Sequence, residues 1–403
     1  PKTSSAASDV YKRQLYASES GQLHWLSLLA DMEIPDAQYY LGILTDNKSL
    51  RSKMLQRAAQ QDHVEALYEI GQSSMNNHVK TRSLTKAATL NHWPSQYALY
   101  QWYWIQEEYE MALPWLNKVA EEHKESALLL ARYLWKNENF KEALQWFDKA
   151  KRLGADEADS YQKLIKQYWN KPLRPTSLMS KMVARQCAMQ LQFVANSLES
   201  IKQAVSFKQQ FHSDKRLQSL PICINEPVWL DAEQLNCKHY ANNDYRITCN
   251  VSELGSLFEP DDFTHLVVFA EQGKANVNNG IMFLDLADQY SIFVHELAHF
   301  AGFIDEYPLS DKMAENICDA QESHPNIVIR KRLVAKLNPQ VEIEQAFDDE
   351  VKTIAEETSM DALDLSYWQG FTHSLSMVKS RTCNNHPNQA YKFVSKLTFM
   401  EFH

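Results

Sequence analysis

The sequence predicts an α+β protein in two parts, an N-terminal all-α helical-repeat solenoid followed by a domain of mixed helices and strands. Three observations lead to this prediction. A pattern of paired helices recurs through residues 15–170, two prolines interrupt it within residues 171–187, and apolar strands alternate with helices in residues 188–403. A length of 403 residues is typical of two or three domains.

The composition excludes several classes of function. Hydrophobic residues make up 44% of the chain and charged residues 23%, which is typical of a globular protein with a sizeable core. The formal net charge is −10, without a basic stripe. Nucleic acid is therefore not an expected partner, because phosphate contacts need clustered Lys and Arg. No apolar run approaches the roughly 20 residues that a transmembrane helix needs.

The first fourteen residues, PKTSSAASDVYKRQ, resemble the translation of a sequencing-adaptor end. A natural disordered tail is the alternative. We expect residues 1–14 to be such an artefact and the natural start to be missing. On that expectation, the lack of a signal peptide carries no information about the compartment.

The repeat shows first as four related segments. They are AQYYLGIL from Ala37, ALYEIGQS from Ala66, SQYALYQW from Ser95 and ALLLARYL from Ala127, at steps of 29, 29 and 32 residues. A second series lies between them: LQRAAQQ from Leu55, LTKAATL from Leu84, LNKVAEE from Leu116 and FDKAKRL from Phe147. Each repeat is therefore predicted to be two helices. Because one helix pair cannot bury its own apolar face, the pairs should stack into a solenoid.

Small residues such as Ala66 and Ala88 let neighbouring helices approach closely, and aromatic residues such as Trp115 fill the space between them. The pattern resembles the tetratricopeptide family of helical repeats in a short-period form, since that family's usual period is 34 residues. The resemblance implies a surface that binds a protein or peptide partner. The alternative is that the repeats only support the second part of the chain.

The region after the linker combines strands and helices. Residues 188–195, 221–230, 246–251, 264–271 and 279–286 are predicted strands, and residues 197–217 have the apolar spacing of an amphipathic helix. The six cysteines fit no C-x-x-C zinc pattern. Cys237 and Cys249 flank a short polar loop and are the preferred disulfide pair, while unpaired cysteines are the alternative.

The segment SIFVHELAHFAGFIDEY, residues 291–307, carries the candidate chemistry. His295 and His299 are four residues apart, so on a helix both imidazoles project from one face and can bind one metal ion. Glu296 lies at the edge of that face, where its carboxylate can take a proton from a metal-activated water.

A catalytic zinc usually has three protein ligands and a water, so a third ligand is needed. Gly302 can end the helix in a left-handed conformation and turn the chain so that Asp305 returns to the metal. The spacing fits the pattern H-E-x-x-H-x-x-G-x-x-[HD], with aspartate in the last position. A rival is Glu315, because ENICD has the E-x-x-x-D spacing of thermolysin-like enzymes.

The segment HELAHFAGFIDEY resembles the metzincin-type zinc metallopeptidases, which are zincins, and is most similar to the immunoglobulin-A-type peptidase family. The similarity runs from PDDFTHLVVFAE through AENICDA. It implies a zincin-like α+β metallopeptidase domain with one zinc, bound by His295, His299 and Asp305, with Glu306 as the alternative to Asp305, and with Glu296 as general base. It also implies a bacterial protein, in the periplasm or secreted.

The same resemblance implies two further features. A methionine turn should lie beneath the metal, and Met377 in THSLSMVKSRTC is the candidate, with ordinary core packing as the alternative. The strand at residues 279–286 should line the substrate cleft, with Asn278, Asn279 and Gly280 at its entrance.

These inferences together predict a zinc metallopeptidase that hydrolyses peptide bonds, while the repeats recruit a substrate or partner. The alternative is a non-catalytic repeat scaffold or protein-binding module with a structural or vestigial zinc site. Metal geometry separates the two, because an open coordination position fits an enzyme and four protein ligands fit a structural site.

Overall fold

The computed structural model describes residues 23–171, 187–230, 232–239, 245–251, 254, 258, 263–319, 324–331, 378–392 and 398–401. The chain divides into two compact units, Pro1–Lys163 and Leu164–His403. The predicted end of the repeats was residue 170, and the division falls earlier, within the last repeat helix.

Ten consecutive helices occupy residues 23–168 and confirm the predicted helical-repeat solenoid. They are α1 (Leu23–Asp31), α2 (Pro35–Leu44), α3 (Lys48–Gln60), α4 (Val64–Ser73), α5 (Asn77–Thr89), α6 (Trp93–Ile105), α7 (Tyr109–Ala120), α8 (Lys124–Lys136), α9 (Phe140–Arg152) and α10 (Asp156–Tyr168). From α1 to α9, each helix packs against its neighbours in sequence, as stacked helix pairs require.

The turns between helices repeat with the sequence. Glu33, Asp62 and Asn91 have φ values of 60°, 64° and 62°, at steps of 29 residues. A left-handed residue interrupts the helical path, so each of these positions fixes where one helix ends. The next helix can then start at a polar cap. After Asp62, for example, the His63 side chain accepts the Ala66 N–H at the start of α4, at 3.3 Å.

Small residues set the distance between paired helices. Gly71 of α4 lies so close to α5 that a Cβ there would be 2.6 Å from Leu84 Cγ. Gly42 of α2 faces Leu55 of α3 in the same way, at 3.1 Å. Ala66 is fully buried. The small residues of the repeat are therefore contact positions, as the sequence predicted.

The second unit is built on a mostly parallel sheet. Its first elements are β1 (Met189–Ala195), α11 (Leu198–Ser213), β2 (Ile222–Ile224), β3 (Val228–Trp229), α12 (Ala232–Leu235), β4 (Lys238–His239), β5 (Ile247–Thr248), β6 (His265–Phe269), β7 (Asn276–Asn278), β8 (Ile281–Leu284) and α13 (Tyr290–Phe300). The strand order is β2-β1-β6-β8-β7, and β3 also pairs with β1. Strand β7 is antiparallel to β8, and the other pairs are parallel.

Both faces of this sheet are covered by apolar side chains, and β6 shows how. Val267 and Phe269 pack with residues of α11 and α13 on one face, whereas Leu266 and Val268 belong to a second cluster on the other face. Burial on both faces explains why the strand is a continuous apolar run rather than an alternating one.

The C-terminal part of the unit adds a small antiparallel sheet. Its elements are α14 (Asp311–Cys318), β9 (Ile327–Lys331), β10 (Val378–Ser380), β11 (Asn388–Lys392) and a 3₁₀ turn, Phe399–Glu401. The strand order is β10-β11-β9. Disulfides join Cys187 to Cys223, Cys237 to Cys249 and Cys318 to Cys383. The preferred pair is present, and the alternative of unpaired cysteines is wrong.

Most predicted elements of the second unit are present. The strand at 188–195 and the helix at 197–217 correspond to β1 and α11, whereas the strand at 221–230 is divided into β2 and β3. Strand β7 was not predicted, because three mostly polar residues, NVN, give no strand pattern. Every helix among the described residues is too short or too polar to cross a membrane.

Candidate metal centre

Helix α13 carries two histidines into the interior of the second unit. Its residues Phe293 and Leu297 pack in the sheet core, which leaves His295 and Glu296 only 1% and 2% exposed. His299 is one turn further on and half-buried. The imidazoles of His295 and His299 face one another with ring centroids 5.0 Å apart, as the four-residue spacing predicts.

Asp305 completes a three-residue cluster with these histidines. Its Oδ1 lies 3.1 Å from His295 Nε2 and 3.3 Å from His299 Nε2. One ligand atom from each residue lies within 4.8 Å of the other two, which suits binding of a single metal ion. It is the one such group of His, Cys, Asp and Glu among the residues that the structure describes.

Gly302 reverses the chain between the helix and Asp305. It has a φ of 84°, and its N–H donates to the His299 carbonyl at 3.0 Å. The Phe303 N–H donates to the Ala298 carbonyl at 3.1 Å. These two bonds form a Schellman motif, which caps the last carbonyls of the helix and requires a left-handed residue at the glycine position. The glycine therefore has the role that the sequence predicted.

The loop that carries Asp305 is fixed on both sides by hydrogen bonds from distant parts of the chain. The Asn326 side chain accepts the Ile304 N–H at 2.9 Å and donates to the Ile304 carbonyl at 2.7 Å. The buried Thr382 hydroxyl donates to the Asp305 carbonyl at 2.8 Å. Such contacts hold a ligand side chain in one orientation and thereby raise metal affinity.

The hydrogen bond of the second histidine shows that the cluster suits a cation. His299 Nδ1 lies 2.9 Å from the Phe303 carbonyl oxygen, which can only accept, so Nδ1 carries the proton. In the neutral imidazole, Nε2 then keeps a lone pair, and it lies 3.3 Å from Asp305 Oδ1. Two lone pairs at this distance repel each other unless a proton or a metal ion lies between them. The residues therefore fit a metal.

The side chains of the cluster also stabilise each other by charge. Burial acts to raise the pKa of Asp305, but its contacts with His295 and His299 outweigh burial and hold this pKa far below its ordinary value. Burial acts to lower the pKa of His299, but the Asp305 carboxylate raises it. The cluster therefore attracts positive charge, whether a proton on a histidine or a metal ion carries that charge.

Glu296 differs from Asp305 although both are buried carboxyls. Burial raises the pKa of Glu296, and the attraction of His299 and His295 offsets only part of this effect. A buried carboxyl group with a raised pKa beside a metal site is suited to accept a proton and return it.

The rival third ligands lie outside the cluster. Glu306 is buried, but its carboxylate accepts hydrogen bonds from Thr398 at 2.5 Å and Asn326 at 3.1 Å, and it pairs with Lys392 at 3.3 Å. Glu315 is exposed on α14. The structure therefore brings Asp305, rather than either glutamate, to the histidines.

The remaining predicted residues are not in this cluster. Met377 lies outside the residues that the structure describes. Asn278, Asn279 and Gly280 form the β7–β8 hairpin turn, in which Asn279 and Gly280 have φ values of 50° and 77°. They are absent from the lining of the cavity described next, which includes residues 273–275, just before β7, instead.

A cavity of ≈ 850 Å³ opens beside the cluster, and Tyr307 connects the two because it lines the cavity and hydrogen-bonds Asp305. Ile292, Asp288 and Glu401 also line it. Sequence reasoning missed these residues. Two signals were available, since Tyr307 ends the DEY motif and Asp288 lies between the apolar strand and the histidine helix. Glu401 gives no such signal.

No protein-family model matches the sequence, and no curated protein matches it. A Sel1 repeat protein from Oxalobacter formigenes is a similar solved structure, with 17% identity and a TM-score of 0.30, over 38% of this chain and 75% of that one. A protective antigen of uropathogenic Escherichia coli that displays an SLR fold has 16% identity and a TM-score of 0.33. That match covers 50% of this chain and 48% of the antigen, so this chain spans about half of its length.

These comparisons correct one inference from the sequence. The assignment to the metzincin-type and immunoglobulin-A-type peptidases is wrong, since no family model matches and the similar structures are Sel1-repeat proteins. The terms hydrolase, protease, metalloprotease and zinc protein, which that assignment implied, are not supported by the comparisons either. Any function for the cluster therefore has to rest on its own geometry.

Proposed function

We propose that the second unit binds one zinc ion through His295, His299 and Asp305 and hydrolyses peptide bonds, with Glu296 as the general base. The observation that carries this proposal is the convergence of two imidazole nitrogens and one carboxylate oxygen within 4.8 Å of each other. Two histidines and a carboxylate are a donor set found at catalytic zinc sites that keep a fourth position open.

Bound zinc supplies a Lewis acid that lowers the pKa of a water molecule and polarises a carbonyl group. The Glu296 carboxylate takes a proton from the attacking water, whose oxygen forms the new bond to the carbonyl carbon. The same carboxyl then gives the proton to the nitrogen of the leaving amine as the C–N bond breaks. Burial, which raises the pKa of Glu296, helps it to hold the proton between these two steps.

A peptide is the proposed substrate because the cavity beside the cluster has room for amino-acid side chains. Its ≈ 850 Å³ falls within the range of ligand-binding clefts. Ile292 lies one turn before His295 on α13 and gives the cavity an apolar wall next to the cluster.

The test is a comparison of wild-type protein with Glu296→Gln. Zinc content is measured by elemental analysis, and cleavage is measured on a library of fluorogenic peptides. We expect about one zinc per chain in both proteins and a rate at least about a thousandfold lower in the variant, because an amide cannot take the proton. Equal cleavage by both proteins would exclude Glu296 as the base.

The second candidate function is a non-catalytic repeat scaffold that binds a protein partner. Its support is the regular stack of helices together with large apolar side chains exposed on it, namely Trp25, Met75, Trp93 and Ile105. On this account any zinc is structural. Wild-type protein that holds zinc but cleaves no peptide in the library would favour the scaffold.

A further inference from the structure

The loop that carries Asp305 is held by two buried hydroxyl groups, one at the end of strand β10 and one just after it. The Thr382 hydroxyl donates to the Asp305 carbonyl at 2.8 Å, and the Ser380 hydroxyl donates to the Glu306 carbonyl at 3.3 Å. The Leu309 N–H donates in return to the Thr382 carbonyl at 3.2 Å. Ser380 and Thr382 are at most 2% exposed. One short segment therefore binds the backbone of the loop at both of its ends.

This segment comes from a distant part of the chain, since Thr382 lies 77 residues after Asp305. Strand β10 is held in the small sheet by β11, which pairs with β9 through further hydrogen bonds. Closing a contact over a long stretch of chain costs conformational entropy, and this cost grows with the number of residues in the loop. A cross-link that shortens the stretch therefore favours the contact.

The disulfide between Cys318 and Cys383 is such a cross-link. Cys383 directly follows Thr382, and Cys318 is the last residue of α14, the helix that follows the Asp305 loop. Through the sulfur atoms, Asp305 and Thr382 are separated by about 15 residues of covalent chain instead of 77. The loop, α14 and the disulfide thus form a ring that the hydrogen bond between Thr382 and Asp305 closes.

The disulfide also shares an apolar cluster with the loop. Cys318 and Cys383 are at most 4% exposed and pack in this cluster with Leu309. Ile304, the residue before Asp305, packs against the same cluster. Residues at both ends of the loop are therefore packed with the cross-link.

We propose that the Cys318–Cys383 disulfide positions Asp305 for the metal ion and thereby raises the zinc affinity of the centre. The inference deepens the proposed function and rests on its zinc site. Closure over about 15 residues instead of 77 favours the contact between Thr382 and Asp305 by about tenfold, and this is an upper bound because sheet pairing also holds the segment. A ligand whose backbone is already fixed loses less freedom when the metal binds.

The test uses metal-free full-length protein in which Cys318→Ala and Cys383→Ala are combined. Alanine keeps both positions apolar, so no polar group is buried in place of the sulfur atoms. Competition with a chelating dye should show that the variant binds zinc about three- to tenfold more weakly than wild type. A difference of less than about twofold would overturn the proposal.

The matched control combines Cys187→Ala with Cys223→Ala and removes another disulfide of the second unit. Cys223 lies in β2, at the end of the large sheet, and neither cysteine belongs to the apolar cluster that packs with the loop. The control should lower the free energy of unfolding but keep the wild-type zinc affinity. An equal loss of affinity in both variants would mean that general stability decides, and would overturn the proposal.

A second variant, Thr382→Val, removes the hydroxyl and leaves the disulfide in place. Because the disulfide is proposed to act through Thr382, this variant should also bind zinc about three- to tenfold more weakly. Removing the disulfide as well should then cost less affinity than it does in wild type. Wild-type affinity in Thr382→Val, or fully additive losses, would contradict the proposal. Thr382→Val decides the matter if thermal unfolding shows that the cysteine variant is not folded.

Hydrogen exchange separates this proposal from the proposed function, because it needs neither zinc nor turnover. The Leu309 N–H should exchange faster in the Cys318→Ala, Cys383→Ala variant than in wild type or the control. Faster exchange together with weaker zinc binding supports the positioning role even if wild type cleaves no peptide. Peptide cleavage by wild type, with exchange and zinc affinity unchanged in the variant, supports hydrolysis and rejects the positioning role. Wild type that binds no zinc would overturn both.

Discussion

The two units of this chain obtain their structure from contacts of very different range. In the solenoid, Gly71 packs against Leu84 on the next helix, and the same contact recurs between Gly42 and Leu55. In the second unit, the carbonyl of Asp305 is held by Thr382, 77 residues away. Short-range contacts repeat with the sequence, whereas the metal cluster depends on single contacts between distant segments. A substitution in the solenoid should therefore change only the packing and stability of neighbouring helices. A substitution in the second unit that removes such a contact should change metal binding.

Among substitutions outside the metal cluster, the largest effect is expected from loss of the loop contacts around Asp305. Asn326→Ala removes two hydrogen bonds to Ile304 and one to Glu306. Because the Asp305 loop would then be free to move, zinc affinity should fall by about 10- to 100-fold. Competition with a chelating dye measures the affinity.

The matched control for this variant is Asn388→Ala. Asn388 donates to the Cys318 carbonyl at 2.8 Å in the same small sheet but does not contact the Asp305 loop. Zinc affinity should be unchanged in this control. A similar loss in both variants would mean that the contacts of Asn326 have no special role in positioning Asp305.

A smaller effect, restricted to the solenoid, is expected from glycine substitutions. Gly71→Ala places a Cβ 2.6 Å from Leu84 Cγ, so helices α4 and α5 have to separate. The free energy of unfolding should fall by about 1–3 kcal/mol, as for other overpacked sites. Gly42→Ala should cost less, because its Cβ would lie 3.1 Å from Leu55 Cγ.

Denaturant unfolding and zinc titration together check this expectation. Zinc affinity should stay at the wild-type value in both glycine variants. If the zinc affinity of these variants fell together with their free energy of unfolding, the distinction between local and long-range effects would be wrong.

The smallest effect is expected from the turn that precedes α13. Burial raises the pKa of Asp288 from 3.8 to about 6, although the backbone N–H of Asp285 opposes the shift. The folded protein therefore binds this proton more tightly than the unfolded chain does, and wild-type protein loses stability as the pH rises from about 4 to 6. Asp288→Asn keeps an oxygen acceptor and removes the charge.

The difference in unfolding free energy between Asp288→Asn and wild type is the quantity to measure against pH. It should be close to zero below pH 4 and favour the variant by roughly 1 kcal/mol above pH 6, a value reduced for partial exposure of the carboxylate. A difference that does not change with pH would contradict this account of Asp288.

Much of the fold could be predicted from the sequence, because its signals are local. The 29-residue steps predicted the helix pairs, and the apolar run HLVVF predicted a strand, which the structure buries on both faces. The spacing of His295, His299, Gly302 and Asp305 also placed these residues correctly relative to one another. Each of these features depends on residues close together in the chain.

The rest could not be predicted, because it depends on contacts between distant segments. Nothing near Thr382 or Asn326 shows that these side chains hold the Asp305 loop. Glu306 was an alternative to Asp305 as third ligand, and nothing in the nearby sequence indicates that Lys392 and Thr398 bind Glu306 instead. The resemblance of residues 260–320 also led to a wrong family, since one segment around a motif contains less information than a whole domain.

The most direct test of the metal centre is calorimetric zinc titration of metal-free protein, comparing Asp305→Ala with Glu315→Ala. The account predicts one zinc per chain in wild type and in Glu315→Ala, because Glu315 is exposed and outside the cluster. Asp305→Ala should bind zinc at least about 100-fold more weakly, because it retains only two of the three ligands. Wild-type affinity in Asp305→Ala, or no zinc binding by wild type, would contradict the account.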